Sequence, residues 1–342
     1  MELKKISRRD FLKLSASGAL GFVLAELGVD RACAAPPTSQ GRMIWSGISL
    51  NDAPSFKAKE IFRFGIDVVV ELKSETQGDA GYGNPFNSVW YQIENGYAYS
   101  GWIQPVETKY QKPAYEIPAE GQLGEISVPM SETRLAPYVN AKNGYRLYYE
   151  SVHWVKNIVV TRDEKSVWYE IFDNELKKSF YVPCYNMRLV QPAELTLLAP
   201  NVPNADKLIH VDLPTQTVTA FEGSTMVFSS RCSSGGKGTR TPTGEFSTYH
   251  KSPSVHMTNQ DEEGAKHYYH LPGVPWTSFF TGYGNAFHGT YWHNDYGRPR
   301  SHGCVNLKSA DAKWLYRWCL PTVPVGEDYL HLPGQGTRVQ IV

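Results

Sequence analysis

Two stretches of this chain follow one pattern. The first runs Ser88-Val89-Trp90-Tyr91-Gln92-Ile93, a turn at Glu94-Asn95-Gly96, then Ser100-Gly101-Trp102-Ile103. The second runs Ser166-Val167-Trp168-Tyr169-Glu170-Ile171, a turn at Asp173-Asn174, then Ser179-Phe180-Tyr181-Val182. Aromatic and β-branched residues alternate on either side of a turn signal, which specifies a β-hairpin. Each stretch leaves through a proline, Pro105 or Pro183. A chain that repeats such a unit is committed to short strands and tight turns. Composition agrees, since 21 Tyr and 9 Trp beside 29 Gly and 22 Pro favour strands over long helices. At 41% hydrophobic and 20% charged, the 342 residues can fill real cores. The 34 basic and 34 acidic side chains balance, which argues against a nucleic-acid or membrane-surface binder.

The hairpins resemble those of bacterial Src-homology-3-like modules over roughly residues 45–195. The resemblance implies two small β-barrel modules, 44–115 and 116–195, that bind or position at the cell wall. Trp and Tyr serve equally well as packed cores, so a spacer role stays open. Residues 35–43 are Pro-rich and polar and read as a linker. Asn84 to Asn87 and the run Lys109 to Tyr115 read as loops.

The N-terminus reads as an address. Ser7-Arg8-Arg9-Asp10-Phe11-Leu12-Lys13 precedes a mildly apolar run and a small-residue site, Ala32-Cys33-Ala34-Ala35. The paired arginines followed by Phe-Leu-Lys resemble a twin-arginine export signal, with cleavage expected after Ala34. The apolar run, with Glu26 inside it, is too short and weak for a membrane span. The expected destination lies outside the cytoplasmic membrane, and the mature chain would carry no membrane span.

The chemistry sits in the last third. From Asp206 a strand meander, Leu208 to Leu213, Thr217 to Phe221 and Met226 to Phe228, leads through a Gly-rich loop to Thr241-Pro242-Thr243-Gly244. Then come Phe287-His288-Gly289-Thr290 and Ser301-His302-Gly303-Cys304-Val305-Asn306, followed by a helical stretch from Ser309, a plausible N-cap, to about Cys319. A thiolate is the nucleophile in acyl transfer, and a free thiol needs a base to become one at neutral pH. His288 is the candidate base, with a carbonyl of its own turn orienting the ring. Gly303 lets backbone amides approach a reacting carbonyl, so the amides around Gly303 and Cys304 are expected oxyanion donors.

The segment 205–342 resembles the L,D-transpeptidase catalytic domain of bacterial cell-wall enzymes. Its His-Gly … Ser-His-Gly-Cys-hydrophobic-Asn signature and the Thr-Pro-Thr-Gly loop carry the likeness; Asn306 stands where many members have Arg. The resemblance implies a mostly β fold with a short helix after the catalytic Cys304. It implies His288 as general base and acid, Gly289 as the carbonyl that orients His288, and His302 and Gly303 in the oxyanion loop. Substrate contacts are expected from Ser301, Asn306, Tyr283 and Tyr291. The substrate it implies is the peptidoglycan stem peptide. Cys304 would form a thioester with a donor tetrapeptide, release D-Ala and pass the acyl group to a neighbouring amine; water or a D-amino acid are alternative acceptors. No cofactor is expected.

Two other readings compete. His267, His270, His288, His293, His302 and Cys304 are dense enough to suggest zinc. However, His267 and His270 stand three apart in a strand-like run and would face opposite ways, so no metal is expected. The other is a wall-binding protein with a degenerate catalytic domain, against which the intact Cys304/His288 pair argues. Cys184, Cys232 and Cys319 are expected to be isolated buried thiols.

Overall fold

The computed structural model describes residues 40–161, 166–259 and 269–342. The segment expected to be an export signal, 1–34, most of the expected linker and His267 lie outside the described residues. What is described is mostly β, with one α-helix, Ser309–Trp318. That helix is not long and apolar enough to cross a membrane.

The N-terminal β unit holds two sheets. One orders the strands Glu60–Phe64, Ile48–Asn51, Gly96–Tyr99, Val89–Ile93 and Ser74–Gln77; the other orders Val69–Glu71, Gln40–Met43 and Ile103–Val106. Met43, Leu50, Tyr91, Ile93, Ala98 and Ile103 pack between them. The linker expectation fails at its C-terminal end. Gln40–Met43 is a strand paired with Ile103–Val106, because Met43 inserts fully into this core.

The first hairpin is shorter than the pattern suggested. Val89–Ile93 pairs with Gly96–Tyr99, and Ser100–Trp102 is a single 3-10 turn before the next strand. The second hairpin, Val167–Asp173 with Lys178–Pro183, is likewise followed by a 3-10 turn, Cys184–Asn186, and a short strand, Met187–Leu189. The repeated unit is thus hairpin, 3-10 turn and strand. Gly101-Trp102-Ile103 matches Tyr185-Asn186-Met187, not the return strand. The second hairpin belongs to a seven-stranded sheet around Ile126, Leu147, Val155, Tyr169 and Ile171. The run from Lys109 lies along this sheet, since Lys109 N–H donates to Ser127 O and Gln111 N–H to Tyr185 O.

Residues 207–341 build two more five-stranded sheets. The first orders Thr225–Arg231, Thr217–Glu222, Lys207–Asp212, Arg338–Ile341 and Gly244–Ser247; the second orders Val305–Leu307, Ala286–Gly289, His270–Phe279, His250–Thr258 and Leu330–His331. Ile209, Val218, Trp276, Phe287, Val305, Leu307 and Leu315 belong to their shared core. The helix buries Ala312, Leu315 and Tyr316, an i, i+3, i+4 stripe. Ser309 is its first helical residue, and the N-cap position is Lys308 with no side-chain cap. The other end is capped by buried lysines. Lys251 Nζ donates to Tyr316 O and Cys319 O at 2.5 and 2.7 Å, and Lys207 Nζ to Trp318 O at 3.0 Å. Cations there satisfy carbonyls with no partner inside the helix and oppose its dipole. Cys184, Cys232 and Cys319 are buried free thiols.

Candidate active site

The site lies where Ala286–Gly289 and Val305–Leu307 run parallel, with His288 opposite Asn306. Phe287, Val305 and Leu307 point into the core. Side chains alternate along a strand, so His288, Asn306 and, just before its strand, Cys304 face the opposite way. The pairing therefore brings the thiol and the imidazole to one face of neighbouring strands.

His288 Nδ1 lies 2.9 Å from Gly289 O. A carbonyl only accepts, so Nδ1 carries the proton and Nε2 keeps its lone pair. Burial holds this imidazole down at about 4, with the Gly289 bond opposing, so the ring is neutral at pH 7. The half-buried Cys304 Sγ–H donates to Gly284 O at 3.6 Å. Desolvation pushes this thiol up to about 11, against a weaker lowering by the Ala286 backbone N–H. At rest the pair is thiol and imidazole, not thiolate and imidazolium.

Gly303 adopts φ +115°, a backbone conformation that side chains strain to take, and a Cβ there would also displace the end of the Asn285 side chain, so the position favours glycine. Ser301 Oγ accepts from Gly303 N–H at 3.0 Å and donates to Cys304 O at 2.5 Å. The Gly303 amide is therefore committed to the loop's own shape, which corrects its expected role as an open oxyanion donor. Ser301 likewise spends its hydroxyl on the loop rather than offering it to a substrate. Thr241 Oγ1 donates to Gly303 O at 2.9 Å and accepts from Gly235 N–H at 2.8 Å. Gly236 N–H and Thr239 Oγ1 both donate to Ser301 O. The Gly-rich loop is thus the brace of the loop that carries Cys304.

The expected substrate contacts divide. Tyr283 projects at 97% exposure from the turn that presents Gly284 O. Tyr291 is buried, with its hydroxyl donating to Pro272 O and its ring stacked on Tyr148. It packs the interior and is withdrawn as a groove residue. Asn306 is also buried, its amide 2.9 Å from His293 Nε2, so it ties a loop down rather than meeting a ligand. His302 is exposed, its ring centroid 5.5 Å from that of Tyr269. His270 packs edge-on to His256 with centroids 4.4 Å apart. Among the described residues no three His, Cys, Asp or Glu side chains gather so as to hold a metal ion.

Sequence reasoning missed Gly284 and Asn285, which flank the thiol, and Asp295. The Thr281…Asn285 turn carries a signal, because Thr281 Oγ1 donates to Asn285 Oδ1 and accepts from Asn285 N–H. Asp295 carries none: its partners Asn84 and Tyr99 are remote in sequence.

Comparison with known proteins bears mainly on the C-terminal part of the chain. A search of curated proteins finds no match. Among solved structures, an Enterococcus faecium L,D-transpeptidase is similar at 22% identity and TM-score 0.32, over 40% of this chain and 50% of that one. An L,D-transpeptidase from Mycobacterium smegmatis is similar at 18% identity and TM-score 0.33, over 56% of this chain and 89% of that one. One from Xylanimonas cellulosilytica shows 26% identity and TM-score 0.29, over 40% and 60%. The chain spans about half the length of the Enterococcus faecium relative it matches. Residues 206–341 match the YkuD family model, that of an L,D-transpeptidase catalytic domain.

Proposed function

We propose that the protein is a peptidoglycan L,D-transpeptidase with Cys304 as nucleophile. The observation that carries this reading is the tautomer fixed by Gly289 O. It leaves His288 Nε2 as a base on the face that Cys304 shares, inside a domain matched to that family. The Cys304 proton passes to His288 Nε2 as Sγ attacks the carbonyl carbon of the third stem residue. The resulting oxyanion takes the Cys304 backbone N–H. The protonated His288 then gives its proton to the leaving amine, and D-Ala departs. An amine of a second stem loses a proton to His288 and attacks the thioester, restoring the thiol and forming the three-to-three crosslink. Tyr283, at the exposed tip of the turn beside Cys304, is placed to touch incoming chains. The protein is exported through the twin-arginine route and works in the cell wall, and its two N-terminal β units are Src-homology-3-like.

Purified tetrapeptide stems test the reading. The wild-type protein releases D-Ala and gains one acyl group on Cys304 by mass spectrometry, and Cys304→Ala does neither. Full turnover by Cys304→Ala would sink the proposal.

A further inference from the structure

The loop between the two halves of the catalytic signature, residues 291–300, is held from outside its own domain. Near its start, Arg42 of the N-terminal unit donates from NH2 to Tyr291 O at 2.7 Å. In its middle, Asn294 N–H donates to Gly101 O at 3.4 Å. Next to that, Asp295 is 1% exposed and divides its carboxylate between two parties. Oδ1 accepts from Asn84 Nδ2 at 2.7 Å and from the Tyr99 hydroxyl at 2.8 Å, both in the N-terminal unit. Oδ2 accepts from Arg300 NH1 at 2.9 Å and lies 3.2 Å from Arg298 Nε. Arg300 is bonded in sequence to Ser301, whose hydroxyl holds Gly303 N–H and Cys304 O.

The fit is close on both sides. A Cβ on Gly101 would lie 2.8 Å from Asp295 Oδ1, and one on Gly297 would lie 2.7 Å from Asn84 Oδ1. A buried carboxylate with charge-assisted bonds on both oxygens is costly to move. The arm from Asp295 to Cys304 is therefore set by where the N-terminal unit sits.

We propose that Asp295 is a positioning residue through which the N-terminal β unit fixes the arm carrying Cys304, making that unit part of the acyl-transfer site rather than a spacer. This rests on Cys304 acting as an acyl acceptor, as proposed above, but not on the identity of the donor. Tyr99→Phe removes a tie on the Oδ1 side. Asp295→Asn keeps an oxygen for Asn84 and Tyr99 while removing the charge that Arg298 and Arg300 meet. Both cuts fall on one chain of contacts and have one expected consequence.

Two reagents separate positioning from general loosening. With p-nitrophenyl acetate, Cys304 Sγ bonds to the acetyl carbon, the C–O bond to p-nitrophenolate breaks and the thiol proton goes to solvent through His288. That step builds an oxyanion and depends on the arm. Iodoacetamide alkylates the same sulfur by displacing iodide and builds none. Loss of an oxyanion donor costs about 100-fold or more, so a partly displaced one is expected to cost less. The ester burst should slow by about threefold in Tyr99→Phe and about tenfold in Asp295→Asn. Alkylation should stay within about twofold of wild type in both, since that reaction needs no such donor. Glu60→Gln, on an edge strand of the same unit with no contact to the arm, should change neither rate. Unchanged ester bursts in both variants would overturn the proposal, and so would ester and alkylation rates that fall in step. A wild-type protein that reacts with the ester but ignores tetrapeptide stems would count against the substrate reading alone.

Discussion

Cys304 and His288 hold their proton on sulfur at rest, and this sets their response to pH. A thiol pushed up to about 11 is almost wholly protonated at pH 7. Its reaction with iodoacetamide should climb steadily with pH, with a log-rate slope near one from about pH 7 to about pH 10. A plateau below pH 8 would show a resting thiolate–imidazolium pair instead. His288→Ala should leave that alkylation profile nearly intact while lowering acyl transfer by about 100-fold or more, because the base acts only as the bond forms. Cys304 should still alkylate faster than Cys319, but through access rather than acidity, since Cys319 is completely buried. At this scale the bond from His288 to the Gly289 carbonyl was legible and its surroundings were not. Short-range spacing announced Cys304, His288 and the Gly289 carbonyl. That Tyr291 and Asn306 turn inward depends on Tyr148 and His293, which no local pattern points to.

Among the elements, the loop that carries Cys304 owes its shape to a brace distant in sequence. Thr241 fills two needs at once, the Gly303 carbonyl and the Gly235 amide, and is itself buried. Thr241→Val keeps the volume but strands both groups. It should cost about 1–3 kcal/mol in urea unfolding, the usual penalty for unpaired buried polar groups, and slow the ester burst as well. No loss of stability would mean that the two groups find other partners. The strand pattern foretold the meander from Lys207 and the paired hairpins, because alternation and turn residues act over a few positions. It misjudged Gln40–Met43, whose Pro-rich approach reads as linker while Met43 seats in a core built by distant strands. It also read Gly101-Trp102-Ile103 as return strand. Gly101 is a contact glycine, there because Asp295 leaves no room for a side chain.

The whole molecule carries buried histidines that set its acid limit. Burial holds His153 down at about 3 and His288 at about 4. The unfolded chain takes up these protons near pH 6.5 and the folded one refuses them, so stability falls as pH drops from about 6.5 toward 3. Asp173 acts lower. Burial alone would raise it, but bonds from His256, the Leu176 N–H and Tyr145 outweigh that and hold it at about 2. Its contribution is complete above the ordinary value of 3.8 and is lost as pH falls to about 2. His153→Gln should flatten the dependence of unfolding free energy between about pH 6 and pH 4 by roughly 1.4 kcal/mol per pH unit. An unchanged slope would exclude His153 as a contributor.

The strand Arg338–Ile341 lies inside its sheet, parallel to Lys207–Asp212 on one side and antiparallel to Gly244–Ser247 on the other. It is the strand through which these two neighbours join one sheet. Without it the sheet would face an open seam with two bare strand edges. The sheet therefore closes like a zip with this strand as its slider. Loss of this strand would therefore leave a fold that cannot shut, rather than one that is merely weakened.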